Sequence, residues 1–274
     1  MSKDHIKAGV IGHPITHSKS PLIHGYWISK HGLLGSYDAI DISPAQLETG
    51  VRKLITQGYR GFNVTLPHKQ EILKLCDDVD DTARSIGAVN MISIQNGKLK
   101  GFNTDAFGYI ENLKAHSGSI DKNKPAIVLG AGGAARAIVY GVLQGGFQNI
   151  IVTNRTLEKA IEIAAMDGEK VKTCPWDERE MALSDAGLLV NTTALGMTGK
   201  EKLLIDLSRL PQDAVVSDIV YAPLMTDLLL QAKERGNTVV TGIGMLLHQA
   251  RPAFAEWFGV MPDVDEALQQ KVLG

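Results

Sequence analysis

Three short segments are the ones best suited to chemistry, two of them polar and one rich in glycine. Gly12-His-Pro-Ile-Thr-His-Ser-Lys-Ser-Pro-Leu-Ile-His24 and Asn63-Val-Thr-Leu-Pro-His-Lys69 bring hydroxyls, amides and lysines into turn-forming sequence, where a small polar ligand is easily held. Gly130-Ala-Gly-Gly-Ala-Ala135 follows a short apolar run. The first two suit a small polyhydroxylated molecule, the third a dinucleotide.

Ser18 and Ser20 flank Lys19 just before Pro21. Loop hydroxyls beside a helix N-terminus make a carboxylate site without adding charge. A serine before a proline in the first turn is equally a common helix cap, so both readings of Ser20 stand. Asn63 and Thr65, alternate residues of one strand, point to one face. Lys69 falls at the start of the next expected helix, where the dipole disfavours its charge. Partial burial added to that would lower its pKa and suit it to general acid/base work; the alternative is an ordinary surface lysine. Asn90 lies in an apolar, strand-like stretch, a costly place for an amide without a partner. Asp105 could pair with Lys69, a contact that spacing alone does not establish.

Gly130-x-Gly132-x-x-Ala135 has the spacing of the dinucleotide fingerprint, and it stands after a strand and before a helix. Small residues are needed there because a pyrophosphate must approach backbone N–H groups at the helix N-terminus. An NAD-selective site ends its second strand in Asp or Glu. This chain instead reads Thr153-Asn-Arg-Thr-Leu-Glu-Lys159. Arg155 can offer its planar fork to a 2′-phosphate, Thr156 a hydroxyl and Lys159 a second cation, while Asn154 brings no repelling acid. NADPH is favoured over NADH. The other reading is a solvated helix start, to which cations are poorly suited unless an anion binds. A polyol site paired with a dinucleotide site implies a dehydrogenase.

The elements that must position these groups alternate between strand and helix. Strands are expected at Lys7–Ile11, Ser36–Ile42 and Gly61–Thr65, and helices at Pro21–Lys30, Pro44–Gln57 and Lys69–Cys76. A hairpin turns on Asn96-Gly97, and a helix runs from Asp105 to Leu113. The alternation restarts with Ala126–Leu129, a helix to Gln144 and the strand Asn149–Thr153. Short strands follow at Leu188–Val190, Ala214–Ile219 and Thr238–Val240, and the tail from Met245 to Leu273 is mostly helical. Serial strand–helix–strand units predict largely parallel sheets covered on both faces.

With 274 residues, 44% of them hydrophobic, the chain is sized for two domains and too apolar for disorder. The net charge of −2, well mixed, gives no footprint for nucleic acid. Cys76 and Cys174 fit neither a disulfide framework nor a zinc pattern and are expected as buried small hydrophobes. The N-terminus lacks the apolar stretch of a signal peptide, and no run spans a bilayer, so the cytosol is the default compartment.

In their order and over nearly the whole chain, eight segments resemble the shikimate dehydrogenase family, which reduces 3-dehydroshikimate with NADPH in aromatic amino-acid biosynthesis. They are His17–Pro21, Asn63–Lys69, Gly87–Asn90, Gly101–Asp105, Gly130–Ala134, Asn154–Thr156, Asp218–Leu224 and Gly242–Gln249. The resemblance implies two α/β domains with an active cleft between them. A substrate domain, 1–105 plus 243–274, has a mainly parallel sheet and C-terminal helices packing back on it; a Rossmann-like NADP-binding domain spans 106–242. It also implies roles. Ser18 and Ser20, with Tyr221 nearby, would bind the substrate carboxylate. Thr65, Asn90, Asp105 and Gln249 would hold ring hydroxyls, with Asn63 close by. Lys69 would be the acid/base, paired with Asp105. Gly130, Ala131, Gly132, Gly133, Ala134, Asn154, Arg155, Thr156 and Lys159 would hold NADP(H), and Ile219, Gly242 and Met245 would line the nicotinamide end.

Phe62, where the resemblance implies a smaller residue in many relatives, is expected to pack behind its strand. His13, His17, His24 and His68 crowd one region but match no zinc spacing, and no metal is expected. The implied partner is the small-molecule substrate, with neither nucleic acid nor membrane, and a monomer or homodimer. The alternatives are a quinate/shikimate dehydrogenase using NAD as well as NADP, an enzyme for an analogue such as aminoshikimate, and a non-catalytic ligand sensor.

Overall fold

In the first part of the chain a six-stranded sheet is built from β1 (Ile6–Gly12), β2 (Gly35–Asp41), β3 (Tyr59–Val64), β4 (Asp78–Val79), β5 (Met91–Gln95) and β6 (Lys98–Phe102). The computed structural model describes residues 5–274. Their contacts divide into two units, one running to Thr104 and resuming over Gln249–Gly274, the other spanning Asp105–His248.

The first sheet has the order β2-β1-β3-β5-β6-β4. Strand β1 runs parallel to β2 and β3, whereas β5 is antiparallel to β3 and β6. The β5–β6 reversal follows from Asn96 at φ 52° and Gly97 at φ 75°, the two left-handed residues of a tight hairpin. Helices α1 (Ser20–Lys30), α2 (Leu47–Thr56) and α3 (Asp81–Ile86) connect the strands. In this unit two elements escaped the sequence reading, and both are short. Strand β4 has two residues, and α3 has six, capped by the Asp80 side chain, which accepts from Ala83 N–H at 2.7 Å.

The helix expected over 69–76 is a turn followed by a single 3-10 segment, Glu71–Leu75. Its register is broken because the Lys69 carbonyl accepts from Val89 N–H at 2.8 Å. That bond replaces the one a continuing helix would make, so Lys69 sits in a turn tied to the 87–90 segment and not at a helix start.

One core holds Ile11, Phe62, Val64, Ile92 and Leu99 with Val51 and Leu54 of α2. Phe62 is thus fully buried behind its strand. A second cluster is aromatic, with His24 stacked on Tyr37 at 4.0 Å and 5° and surrounded by Trp27, Phe254 and Trp257. Burial drives the His24 pKa from 6.5 to about 3, with Asn63 opposing it only in part. An unfolded histidine protonates near 6.5, so between those values the unfolded chain binds more protons. Stability is therefore complete above about 6.5 and falls on acidification by up to about 1.4 kcal/mol per pH unit. His24→Phe, which keeps the ring stack, should flatten the slope of stability between about pH 6 and pH 4 in urea titrations. An undiminished slope would show that other groups set the acid limit.

The second unit contains α4 (Asp105–His116), β7 (Ala126–Leu129), α5 (Gly133–Gln144), β8 (Ile150–Asn154), α6 (Leu157–Ala164), β9 (Val171–Pro175), β10 (Leu188–Asn191), β11 (Val215–Asp218), α7 (Asp227–Glu234) and β12 (Thr238–Val240). Its order is β12-β11-β10-β7-β8-β9, parallel throughout. This is the doubly wound dinucleotide order, reversing between β7 and β10. Alternate residues of the central strands feed two cores: Ala126, Val128, Leu188 and Val190 one, Ile127, Leu129 and Leu189 the other. Burial on both faces explains why these strands read as continuous apolar runs.

Helix α8 (Ile243–Phe258) begins in the second unit, and its part from Gln249 belongs to the first, a few residues later than the return drawn from sequence. Helix α9 (Glu266–Leu273) follows. The C-terminal helices pack back on the first unit: Tyr26 donates to Asp265 at 2.9 Å and Trp27 Nε1 to the Asp263 carbonyl at 3.0 Å.

Candidate active site

Of the polar groups singled out in the sequence, Ser18, Ser20, Asn63, Thr65, Lys69, Asn90 and Gln249 lie in the first unit. Ser20 is the first residue of α1, behind Lys19 at the cap position, and no side chain caps this helix. The reading of Ser20 as an N-cap is therefore set aside. Ser18 Oγ instead accepts from Ser20 N–H at 3.3 Å, which fixes the loop.

Asn63 and Asn90 are 5% and 2% exposed, so their amides must find partners within the protein. Asn63 Nδ2 donates to the Asn90 carbonyl at 3.2 Å. Asn90 Oδ1 accepts from Thr104 N–H at 2.8 Å, and Asn90 Nδ2 donates to Thr104 Oγ1 at 3.0 Å and reaches Gln249 Oε1 at 3.5 Å. Val64 N–H donates to the Asn90 carbonyl and Val89 N–H to that of Lys69, both at 2.8 Å, so the Thr65–Lys69 turn and the 87–90 segment lie side by side. Asn63, Asn90 and Gln249 thus form one hydrogen-bonded group, with half-buried Lys69 on the adjoining turn. Thr104, to which the sequence reading gave no role in the site, completes it.

The nearby histidines are engaged elsewhere. His13 Nδ1 meets Asp41 at 2.7 Å, His68 Nε2 meets the Ile42 carbonyl at 2.6 Å, and His24 stands in the aromatic cluster. Among the described residues no group of three His, Cys, Asp or Glu is placed to hold a metal. Cys76 and Cys174 are half-buried, not fully buried as expected, because each sits at an element end; burial pushes the Cys76 thiol up to about 11.

In the second unit a cavity of about 640 Å³ opens where the strands end, lined by Ala131, Gly132, Asn154, Arg155, Thr156 and Lys159 among others. These loops follow β7 and β8, beside the point where the strand order reverses. Gly130 has φ +104°, and a Cβ there would meet Thr192 Oγ1 at 2.7 Å and Thr193 Cγ2 at 2.9 Å. At Gly132 and Gly133 a Cβ would meet nothing within 4 Å, so the space over the α5 N-terminus is open to a ligand. Ala135, fully buried, closes the helix onto the sheet. The space at this helix N-terminus is of the kind a pyrophosphate would fit.

Asn154 Nδ2 donates to the Thr156 carbonyl at 2.8 Å, bracing the turn that carries Arg155. Thr156 is the cap residue of α6, yet its hydroxyl makes no capping bond. Glu201, which the sequence reading missed, places Oε2 3.7 Å from Arg155 Nη2 in the same cavity, and Trp176 and Thr193 also line it. The rule that ligands sit at the carboxyl ends of parallel strands would have pointed to Thr193, after β10.

Asp105 is the first residue of α4 and 8% exposed. Gly242 packs directly on the Ile219 carbonyl, and Met245 belongs to a core against which Ile219 and Ala131 rest. Half-buried Tyr221 follows on the loop after β11. Asp218 anchors that loop, accepting from Asn191 Nδ2 at 3.0 Å, Val220 N–H at 2.9 Å and Thr226 Oγ1 at 2.7 Å. Burial pushes its carboxyl up to about 6, against the pull of those donors.

Three family models match the chain: a shikimate dehydrogenase substrate binding domain over residues 10–92, shikimate/quinate 5-dehydrogenase over 113–220, and a shikimate 5′-dehydrogenase C-terminal domain over 242–270. A shikimate dehydrogenase (NADP(+)) of Azorhizobium caulinodans is 46% identical over 97% of this chain and 95% of its own. A shikimate 5-dehydrogenase from Thermus thermophilus, solved in complex with NADP(H) and shikimate, is 37% identical with a TM-score of 0.87, covering 97% of this chain and 98% of its own. A quinate dehydrogenase from Corynebacterium glutamicum in complex with NAD is 31% identical with a TM-score of 0.92, covering 98% and 99%.

Proposed function

The chain belongs to the shikimate dehydrogenase family, and we propose that Lys69 is the acid/base of its reaction. That reaction is the NADP-dependent, reversible reduction of 3-dehydroshikimate to shikimate, a step of aromatic amino-acid biosynthesis. The observation that carries the reading onto this chain's residues is the hydrogen-bonded Asn63–Asn90–Gln249 group adjoining the Lys69 turn.

Ser18, Ser20 and Tyr221 bind the substrate carboxylate by hydrogen bonds that add no charge. Asn63, Thr65, Asn90 and Gln249 supply donors and acceptors for the ring hydroxyls, and this restricts the site to one hydroxyl pattern. The Gly130–Ala134 loop holds the pyrophosphate of NADP(H); Asn154, Arg155, Thr156 and Lys159 hold the adenosine ribose and its 2′-phosphate; Ile219, Gly242 and Met245 line the nicotinamide. The bound nucleotide supplies or takes up the hydride. In reduction Lys69, as ammonium, gives a proton to the oxygen of the developing alkoxide, and in oxidation its neutral amine takes the proton back. Asp105 is its partner, orienting the lysine and a substrate hydroxyl. A monomer or homodimer in the cytoplasm completes the proposal. Among the described residues no helix is long and apolar enough to cross a membrane.

A second reading, dual use of NADP and NAD with shikimate or quinate, is favoured by Glu201, a carboxylate in the adenosine-side cavity able to accept from ribose hydroxyls. Following nicotinamide absorbance with shikimate and NADP⁺, and in parallel with NAD⁺ and with quinate, separates the two. Turnover confined to shikimate and NADP⁺ is expected. Comparable rates with NAD⁺ or quinate would favour the second reading, and ligand binding without turnover would favour a sensor.

A further inference from the structure

Tyr37 lies on β2 and Asn63 on β3, with β1 between them. In the sheet register Ala8 of β1 stands beside Tyr37, and Val10 beside Asn63. These four side chains share one face, and the small Ala8 leaves room for the phenol to cross β1. The Tyr37 hydroxyl donates to Asn63 Oδ1 at 2.6 Å. The same amide donates from Nδ2 to the Asn90 carbonyl at 3.2 Å.

Those two bonds determine which way the carboxamide faces. Flipped, Asn63 would set its oxygen against the Asn90 carbonyl, with lone pairs opposed. In the observed orientation its oxygen is taken by the phenol and one N–H by Asn90, which leaves one N–H to give. Tyr37 is 8% exposed, and burial raises its pKa well above the ordinary value, so the phenol keeps its proton as a donor. The ring is held in turn by the fully buried His24, stacked at 4.0 Å.

We propose that Tyr37 is a positioning residue of the substrate site, fixing the Asn63 carboxamide so that its remaining N–H donates to a substrate hydroxyl, and that His24 holds the phenol by stacking. This rests on the reading that Asn63 binds substrate.

The experiment is a double-mutant cycle of Tyr37→Phe and Asn63→Ala, read as KM for shikimate and for NADP⁺. Tyr37→Phe keeps the ring and its stack and removes only the hydroxyl. Freeing the amide to turn should raise KM for shikimate about tenfold, with KM for NADP⁺ unchanged. In the Asn63→Ala background the same change should add almost nothing, because its target is gone. A merely structural role would give the same factor in both backgrounds, and that result would overturn the proposal. So would an unchanged KM in Tyr37→Phe beside an impaired Asn63→Ala, leaving Asn63 in the site. If Asn63→Ala itself leaves KM for shikimate unchanged, the substrate reading of Asn63 falls and the proposal with it.

Discussion

Replacing Lys69 with alanine lowers kcat by about 10²–10⁴-fold, the range for loss of a positioned proton donor, while KM for shikimate changes little. The turn carrying Lys69 is fixed from outside itself, through the Val89 N–H bond to the Lys69 carbonyl, so the backbone stays in place when the side chain goes. The neighbouring Asn63, Asn90 and Gln249 are linked by hydrogen bonds of their own, so shikimate binding should largely survive. Steady-state kinetics in both directions make the test. A rise in KM at constant kcat would assign Lys69 to binding and leave the acid/base role without a residue. An equal loss in folding stability would be the sign of a structural lysine.

Arg155→Ala is expected to raise KM for NADP⁺ about ten- to a hundredfold, with KM for NAD⁺ within about twofold of the parent. The asymmetry arises because only NADP carries the 2′-phosphate that a guanidinium fork grips with two charge-assisted bonds. Arg155 is solvent-exposed, which weakens any single ion pair by screening. Glu201 enlarges the effect, since without the arginine its carboxylate faces the phosphate uncompensated. The loss should therefore steepen at low salt, and Arg155→Ala combined with Glu201→Gln should recover part of it. Equal losses for both nucleotides would move Arg155 from phosphate recognition to general support of the loop.

Both expectations trace to features legible along the chain. The glycine fingerprint needs only neighbouring residues, since a tight turn between a strand and a helix is local, and Gly130, Gly132 and Ala135 take up turn, ligand space and helix packing respectively. The absence of an acid at 154 is equally local. So was the hairpin at Asn96-Gly97, whose left-handed residues announce themselves by type. Period and turn chemistry likewise placed most strands and helices, because each depends on residues a few positions apart.

What the sequence could not determine was every feature that depends on distant partners. The helix expected to begin at Lys69 became a turn because Val89, far along the chain, takes the carbonyl that would have continued it. Asn63 was visible as a strand residue sharing a face with Thr65 and Asn90 as an amide in an apolar stretch, but Thr104 was missed as a partner and Tyr37 altogether, since they meet only when four elements fold together. Glu201 reaches the Arg155 cavity from a loop beyond β10. Residue types and local spacing determined which chemistry this protein is equipped for. Tertiary structure alone determined how each buried polar group is oriented, because a buried donor or acceptor must be satisfied by whatever the fold brings to it.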